Sequence, residues 1–319
     1  MAYYAGIDLG ATNIRAAVTD EEGEIVGLDD RETPQGPTGV QVTEGVLAAL
    51  RAACGAADVD PDAIAAVGIG SIGPLDLAAG TIEDPANLPD AIDTVPLRDP
   101  IAELVGSDQV YLHNDTTAGV IGERFHAEPI PDDMIYLTIS SGIGAGIAVD
   151  GRVLRGWDGN AGEVGHIVVD PAGRRVCGCG HDGHWEAYCS GENIPEYARL
   201  LHGEEPVGTD LPLDDPEFAA ADVFEHAGED PLADRVIDRV ARWNAIGITN
   251  VIHSFAPLVI AIGGAVALRN ESLVIDPIRE RVEEMVWTAL PEIRATSLGE
   301  DAVLRGAIAS ALTGGTGSR

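Results

Sequence analysis

The 319-residue chain contains no lysine, and all 19 of its basic residues are arginine. This excludes a P-loop lysine, a Schiff-base lysine and a lysine general base. Cations are scarce altogether, and 53 acidic residues leave a formal net charge of −34. Nucleic-acid backbones are bound by clustered cations, so no nucleic-acid partner is expected. Long apolar runs are also missing. The most apolar stretch, LVIAIGGAVAL from Leu258, is short and broken by glycines, so no membrane span is expected. The opening MAYYAGIDLG has neither a basic region nor a long apolar stretch, which points to a cytoplasmic protein. Of only four cysteines, Cys177, Cys179 and Cys189 crowd together among several histidines, a pattern suited to a metal rather than to a disulfide framework. Cys54 stands alone and reads as a core residue.

What is present is enough for one large or two ordinary domains, with 45% apolar residues to build a sizeable core. The acidic residues are spread along the chain instead of forming a tail, so the compact state repels itself. At roughly 1 M salt the Debye length falls to about 3 Å, which relieves that repulsion and suggests the cytoplasm of a salt-accumulating organism.

The first thirty residues alternate as three strands, Tyr3 to Leu9, Ile14 to Thr19 and Glu24 to Leu28, joined by DLGATN and DEEG turns. A helix over Val40 to Cys54, strands at Ala65 to Ile69 and Gln109 to Leu112, and a helix over Thr116 to Phe125 make the chain α/β. From Met134 the opening pattern recurs in MIYLTISSGIGAGIAVDGRVLRG, which reads as an internal duplication. A long helix over Asp230 to Ser254, a buried strand at Leu258 to Ile262 and a helix over Glu271 to Trp287 follow. The acidic, proline-broken segment from Gly203 to Pro231 is expected to be a solvated excursion.

Two polar-glycine turns lie between strands, where backbone N–H groups and hydroxyls can hold a phosphate chain. The first offers Gly10, Thr12 and Asn13; the second offers Ser141, Gly142, Gly144 and Gly146. Gly68 to Gly73 matches the dinucleotide fingerprint GxGxxG, yet Pro74 stands where the required helix should run, so that reading is rejected. Asn114-Asp115 follows a strand and opens a helix. There Asp115 serves either as an N-cap or as a general base at the strand's C-terminal end, where α/β ligand crevices form. His166, Cys177, Cys179 and His184 supply two nitrogens and two sulfurs, a closed tetrahedral set for a structural zinc, with His181 and Cys189 near enough to compete. Such a site would present Glu163 and Glu186 from a loop too small and polar to order itself.

With these pieces in one order, the chain resembles the ROK family, the sugar kinases and related repressors of the duplicated actin-like ATPase (ribonuclease H-like) fold. The resemblance covers essentially the whole chain: DLGATNIR at Asp8 to Arg15, GSIGPLD at Gly70 to Asp76, NLP at Asn87 to Pro89, Asn114-Asp115, SSGIGAG at Ser140 to Gly146, GEVGH at Gly162 to His166, CGCGHDGHWE at Cys177 to Glu186, and IGG at Ile262 to Gly264. It implies that the two turns grip the phosphates of ATP, that Asp8 organises Mg²⁺ and that Gly263 and Gly264 lie against the nucleotide. It further implies Asp115 as catalytic base, and Asn87, Asn114, Glu163, His166 and Glu186 as sugar contacts, with His166 also a zinc ligand. Two positions depart from the family pattern: His184 stands where a third cysteine is usual, and Ser140-Ser141 stands where glycine-threonine is usual.

The resemblance implies phosphorylation of a hexose at its 6-hydroxyl, glucose before N-acetylglucosamine, N-acetylmannosamine, fructose or mannose, with a non-catalytic sugar sensor as the rival. A repressor is disfavoured, because DLGAT begins at Asp8 and leaves no room ahead of it for a helix-turn-helix. The expected organisation is a smaller domain over residues 1–114, completed by a C-terminal helix within about 296–319, and a larger domain over 115–295. The active site is expected in the cleft between the two, in a homodimer or homotetramer.

Overall fold

The computed structural model describes residues 2–85, 88–89 and 91–318. The chain divides into two compact units, Met1–Asp132 with Gly146–Gly162 and Asp301–Arg319, and Asp133–Ala145 with Glu163–Glu300.

In the first unit a five-stranded sheet runs in the order Ile25–Glu32, Asn13–Thr19, Tyr3–Leu9, Ile64–Ser71, Val110–Asn114. The first three strands are antiparallel neighbours and the last three are parallel. The helix Gly39–Ala57 packs on the antiparallel strands. Its buried Val42, Val46, Leu50 and Ala53 recur at three- and four-residue spacing, which puts them on one face. They meet Ile7, Ile14 and Ile69 in one core, where each fully buried aliphatic side chain contributes roughly 1.5–3 kcal/mol.

The helix Ala302–Leu312 lies against the strands Tyr3–Leu9 and Ile64–Ser71. Gly68 makes this possible, because a Cβ there would fall inside the carbonyl group of Ala307. The first two GxGxxG glycines, Gly68 and Gly70, thus serve helix–sheet packing, and the chain leaves the strand through Gly73-Pro74 without opening a helix. The same C-terminal helix packs on Asp115–His126 through small residues, a Cβ on Gly306 colliding with the Ala118 backbone. That close fit keeps Asp115–His126 in the first unit, so the unit extends to Asp132 and does not end at Asn114.

The second sheet runs Arg152–Val153, Ile143–Val149, Met134–Ile139, Val259–Gly263, Glu292–Ala295. Its order repeats that of the first sheet strand for strand, as a duplicated chain requires. The helix Pro231–Phe255 starts where the Asp230 carboxylate accepts the Leu232 and Ala233 N–H groups at 2.8 and 2.9 Å. The preceding segment is not the solvated excursion expected of it. Leu211, Phe218, Val223 and Phe224 are buried, and Ala220–Glu225 is a helix. Four apolar side chains spaced among acids carry no clear period, yet all four are buried, and the short helix bearing Val223 and Phe224 packs on the long one. Among the described residues no helix is long and apolar enough to cross a membrane.

Candidate active site

In the first unit, the turn after Tyr3–Leu9 is tied back through its carbonyls. The Thr33 hydroxyl donates to Gly10 O at 2.8 Å, Gln35 Nε2 to Ala11 O at 2.9 Å and the Thr33 N–H to Thr12 O at 2.7 Å. With its acceptors used, the turn has N–H groups and the exposed side chains of Thr12 and Asn13 left to offer an anion. Thr33 and Gln35 carried no motif in the sequence; Thr33 extends the strand pairing by one residue, and Gln35 reaches the turn through its side chain. Asp8, at the end of the same strand, is held by Arg15, whose Nη2 and Nε lie 2.7 and 3.2 Å from its Oδ2. Burial pushes the Asp8 carboxyl up, and Arg15 pulls it back down. Arg15 Nη1 also donates to Asp301 at 2.8 Å, so the DLGATNIR arginine couples this turn to the start of the C-terminal helix.

Asn114 and Asp115 share the end of the strand Val110–Asn114 and the start of Asp115–His126. The N-cap is Asn114, not Asp115. Its Oδ1 accepts the Thr116 N–H at 3.0 Å and the Thr116 hydroxyl at 2.7 Å. Its Nδ2 remains as a donor facing Gly73, where a Cβ would approach to 3.3 Å. Asp115 is half-buried, and its Oδ1 lies 2.7 Å from Thr116 N. Asn87, the remaining sugar-contact candidate on this unit, falls outside the described residues.

In the second unit, the turn Ser140-Ser141-Gly142 is closed by Ser140 N–H donating to Gly142 O at 2.9 Å and anchored by Gly191 N–H on Ser140 O at 2.7 Å. Gly144 lies in the following strand, and Gly146 serves packing in the first unit, where a Cβ would overlap the Thr116 carbonyl. Glu186 joins this turn to the cysteine loop. Its Oε2 accepts the Ile143 N–H at 2.8 Å and would meet a Cβ on Gly142 at 2.9 Å, and its Oε1 lies 3.9 Å from the Cys177 thiol. The residues stand 43 apart, so no sequence spacing announces the contact. Gly264 turns the chain at φ +90 beyond Val259–Gly263, where a Cβ would sit 2.6 Å from the Ile139 carbonyl carbon, and Gly263 packs against the Tyr136 ring.

The loop from Glu163 to Glu186 brings His166, Cys177, Cys179 and His184 together, one ligand atom of each lying within 4.8 Å of the others. Tetrahedral zinc with Zn–S about 2.3 Å and Zn–N about 2.1 Å has S···N edges of about 3.6 Å and an S···S edge of about 3.8 Å. Cys177 Sγ to His166 Nδ1 is 3.7 Å and Cys179 Sγ to His184 Nδ1 is 3.2 Å, so the donor set fits the ion in chemistry and in size. Of the two competitors, Cys189 is fully buried and its thiol points to the Val240 carbonyl at 3.5 Å, while His181 is exposed and stacks on His184. With Nδ1 toward Cys177, His166 turns Nε2 toward Glu163 Oε2 at 3.8 Å. Partial burial and the neighbouring Glu186 raise the Glu163 carboxyl, and His166 opposes them.

Comparison with known proteins accounts for this combination of duplicated sheets, turns and cysteine–histidine loop. The family model described as "ROK family" matches residues 4–313. The chain belongs to the ROK family. A glucokinase from Pyrobaculum calidifontis is 34% identical over 98% of this chain and 95% of its own length. Among solved structures, a ROK hexokinase from Thermus thermophilus superposes with a TM-score of 0.78 at 33% identity, covering 97% of each chain. A ROK family glucokinase from Streptomyces griseus, solved with glucose and AMPPNP, gives a TM-score of 0.76 at 33% identity, covering 97% of this chain and 99% of its own. As a ROK chain it has the duplicated actin-like ATPase architecture of those hexokinases.

Proposed function

We propose that this ROK protein is an ATP-dependent kinase that phosphorylates glucose at its 6-hydroxyl, giving glucose 6-phosphate. The observation that carries the reading is near full-length similarity to glucokinases in a chain that keeps Asp115 at a strand end together with both polar-glycine turns. In the reaction the sugar's 6-oxygen attacks the γ-phosphorus, its proton passes to the Asp115 carboxylate, and the bond from the γ-phosphorus to the bridging oxygen breaks to release ADP. Asn87, Asn114, Glu163, His166 and Glu186 hold the other hydroxyls. Asn114 does so through its Nδ2, since Oδ1 is committed to the helix cap. Gly10, Thr12 and Asn13 of the first turn and Ser141, Gly142 and Gly144 of the second hold the phosphates, with Gly263 and Gly264 against the nucleotide.

Positioning of this kind supplies much of the acceleration in phosphoryl transfer. Asp8 would help hold Mg²⁺, whose contribution is to neutralise phosphate charge. His166, Cys177, Cys179 and His184 would hold zinc, whose contribution is to order the loop bearing Glu163 and Glu186. A homodimer or homotetramer in a salt-rich cytoplasm completes the reading.

ADP release with Mg·ATP, measured across glucose, mannose, fructose, N-acetylglucosamine and N-acetylmannosamine in dilute buffer and in molar KCl, tests it. Glucose turnover that needs high salt is expected. Preference for another hexose would change the substrate and keep the mechanism. No turnover with any sugar, from a chain shown by calorimetry to be folded in salt, would make it a sugar-sensing protein.

A further inference from the structure

The second unit carries a cavity of about 260 Å³ outside the site described above, lined by Arg174, Arg235, Arg239, Arg242 and Trp243 together with Leu201 and the carboxylates of Glu204 and Glu205. Four of only 19 basic residues therefore meet at one hollow in a chain of net charge −34 that has no lysine to share the load. Arg235, Arg239 and Arg242 stand four and three residues apart on the helix Pro231–Phe255, hence on one face, where like charges repel. Arg174 arrives from a different segment, the loop between His166 and Cys177.

Trp243 organises the guanidiniums. Its indole Nε1 donates to Tyr197 Oη at 2.8 Å, fixing a buried ring, and the Arg174 and Arg242 guanidinium carbons lie 5.7 and 5.8 Å from a ring centroid. Carboxylates satisfy only part of the positive charge. Arg174 is held by Asp170 at 2.9 Å and stands 3.9 Å from Glu204, and Arg235 stands 3.7 Å from Glu205. Arg239 and Arg242 have no carboxylate within ion-pair distance among the described residues.

Guanidinium forks match the geometry of phosphate oxygens and bind them in pairs. The volume lies just below the roughly 300 Å³ at which pockets for drug-sized ligands begin, which suits a small metabolite better than a nucleotide triphosphate. We propose that this cavity is a binding site for a small phosphate-bearing anion, separate from the phosphate turns and centred on Arg239 and Arg242. Because the ligand also reaches Arg174, it competes with Asp170, which holds the Tyr188 hydroxyl at 2.8 Å beneath the cysteine loop.

The test is isothermal titration of the full-length protein with inorganic phosphate and, separately, with glucose 6-phosphate, at ionic strength held constant with KCl. The two ligands distinguish a site for the free ion from one for its sugar ester. Saturable binding is expected in the wild type, and R239Q/R242Q should weaken it about tenfold or more while leaving turnover and metal content unchanged. A second variant, R239K/R242K, keeps the charge but loses the fork and should weaken binding by a smaller factor, which holds even if the glutamine variant folds poorly. Absence of saturable binding of either ligand would overturn the proposal. So would equal binding by wild type and both variants, which would assign the anion to the phosphate turns. Dissociation of the wild-type oligomer in the variants, seen by sedimentation, would make the cavity a subunit interface and would also overturn it.

Discussion

His113 makes stability fall as the medium becomes acidic, against the trend expected of so acidic a chain. Its ring is buried on the strand Val110–Asn114, with Nε2 2.6 Å from the Ser310 hydroxyl of the C-terminal helix. Burial first, and then the charge of Arg155, lower its pKa from 6.5 to about 3. Above pH 6.5 the imidazole is neutral in both folded and unfolded chains. Below it the unfolded chain takes up a proton that the folded one refuses, so stability is lost as pH falls from about 6.5 toward about 3, at about 1.36 kcal/mol per unit. Between about pH 7.5 and about pH 5 the loss is about 2 kcal/mol. Protonating carboxylates meanwhile relieves self-repulsion and works in the opposite direction. The comparison is therefore with His113→Gln, which keeps a neutral hydrogen-bonding group beside Ser310 and carries every other titration unchanged. Urea unfolding in molar KCl should show the wild type losing about 2 kcal/mol more than the variant over that interval. Parallel pH profiles would refute the reasoning, because they would mean that the folded protein protonates His113 as readily as the unfolded chain does.

The other expectations concern the proposed chemistry and the packing. Asp115→Asn removes the proton acceptor but keeps the shape, so kcat should fall about 10²- to 10⁴-fold with little change in the sugar KM; near-normal turnover would remove Asp115 as the base. His184→Ala should release zinc and raise the sugar KM by disordering Glu163 and Glu186, and unchanged metal content by elemental analysis would assign the ligand elsewhere. Gly68→Ala puts a methyl group inside the Ala307 carbonyl and should cost about 3 kcal/mol by urea unfolding, because backbone cannot step aside as a flexible side chain can. Raising KCl from about 0.1 M to about 2 M should raise the calorimetric Tm, and a flat response would refute the self-repulsion argument for a chain of charge −34.

Features carried by contiguous residues were legible in advance. The three opening strands, the two polar-glycine turns and the repeat of the first pattern from Met134 are local alternations, and both sheets follow them. The cysteine–histidine quartet was readable as a group because His166, Cys177, Cys179 and His184 occupy one short loop. The exclusion of a dinucleotide site needed only Pro74. The solvated reading of residues 203–231 failed for the converse reason: Leu211, Phe218 and Phe224 have no periodicity of their own, and only the folding of remote segments around them makes them core.

What the chain alone determined is thus the kind of chemistry on offer, through residue types held at short spacing by turn, strand and loop preferences that act over a few residues. Tertiary structure decided which of those groups meet. It hung Glu186 on Ile143 N–H across 43 residues, made Asn114 the cap beside Asp115, kept Asp115–His126 in the first unit through Gly306, and gathered Arg174 with three arginines of a distant helix. Such meetings depend on which remote surfaces bury one another, and burial is a property of the packed chain that no stretch of sequence carries by itself.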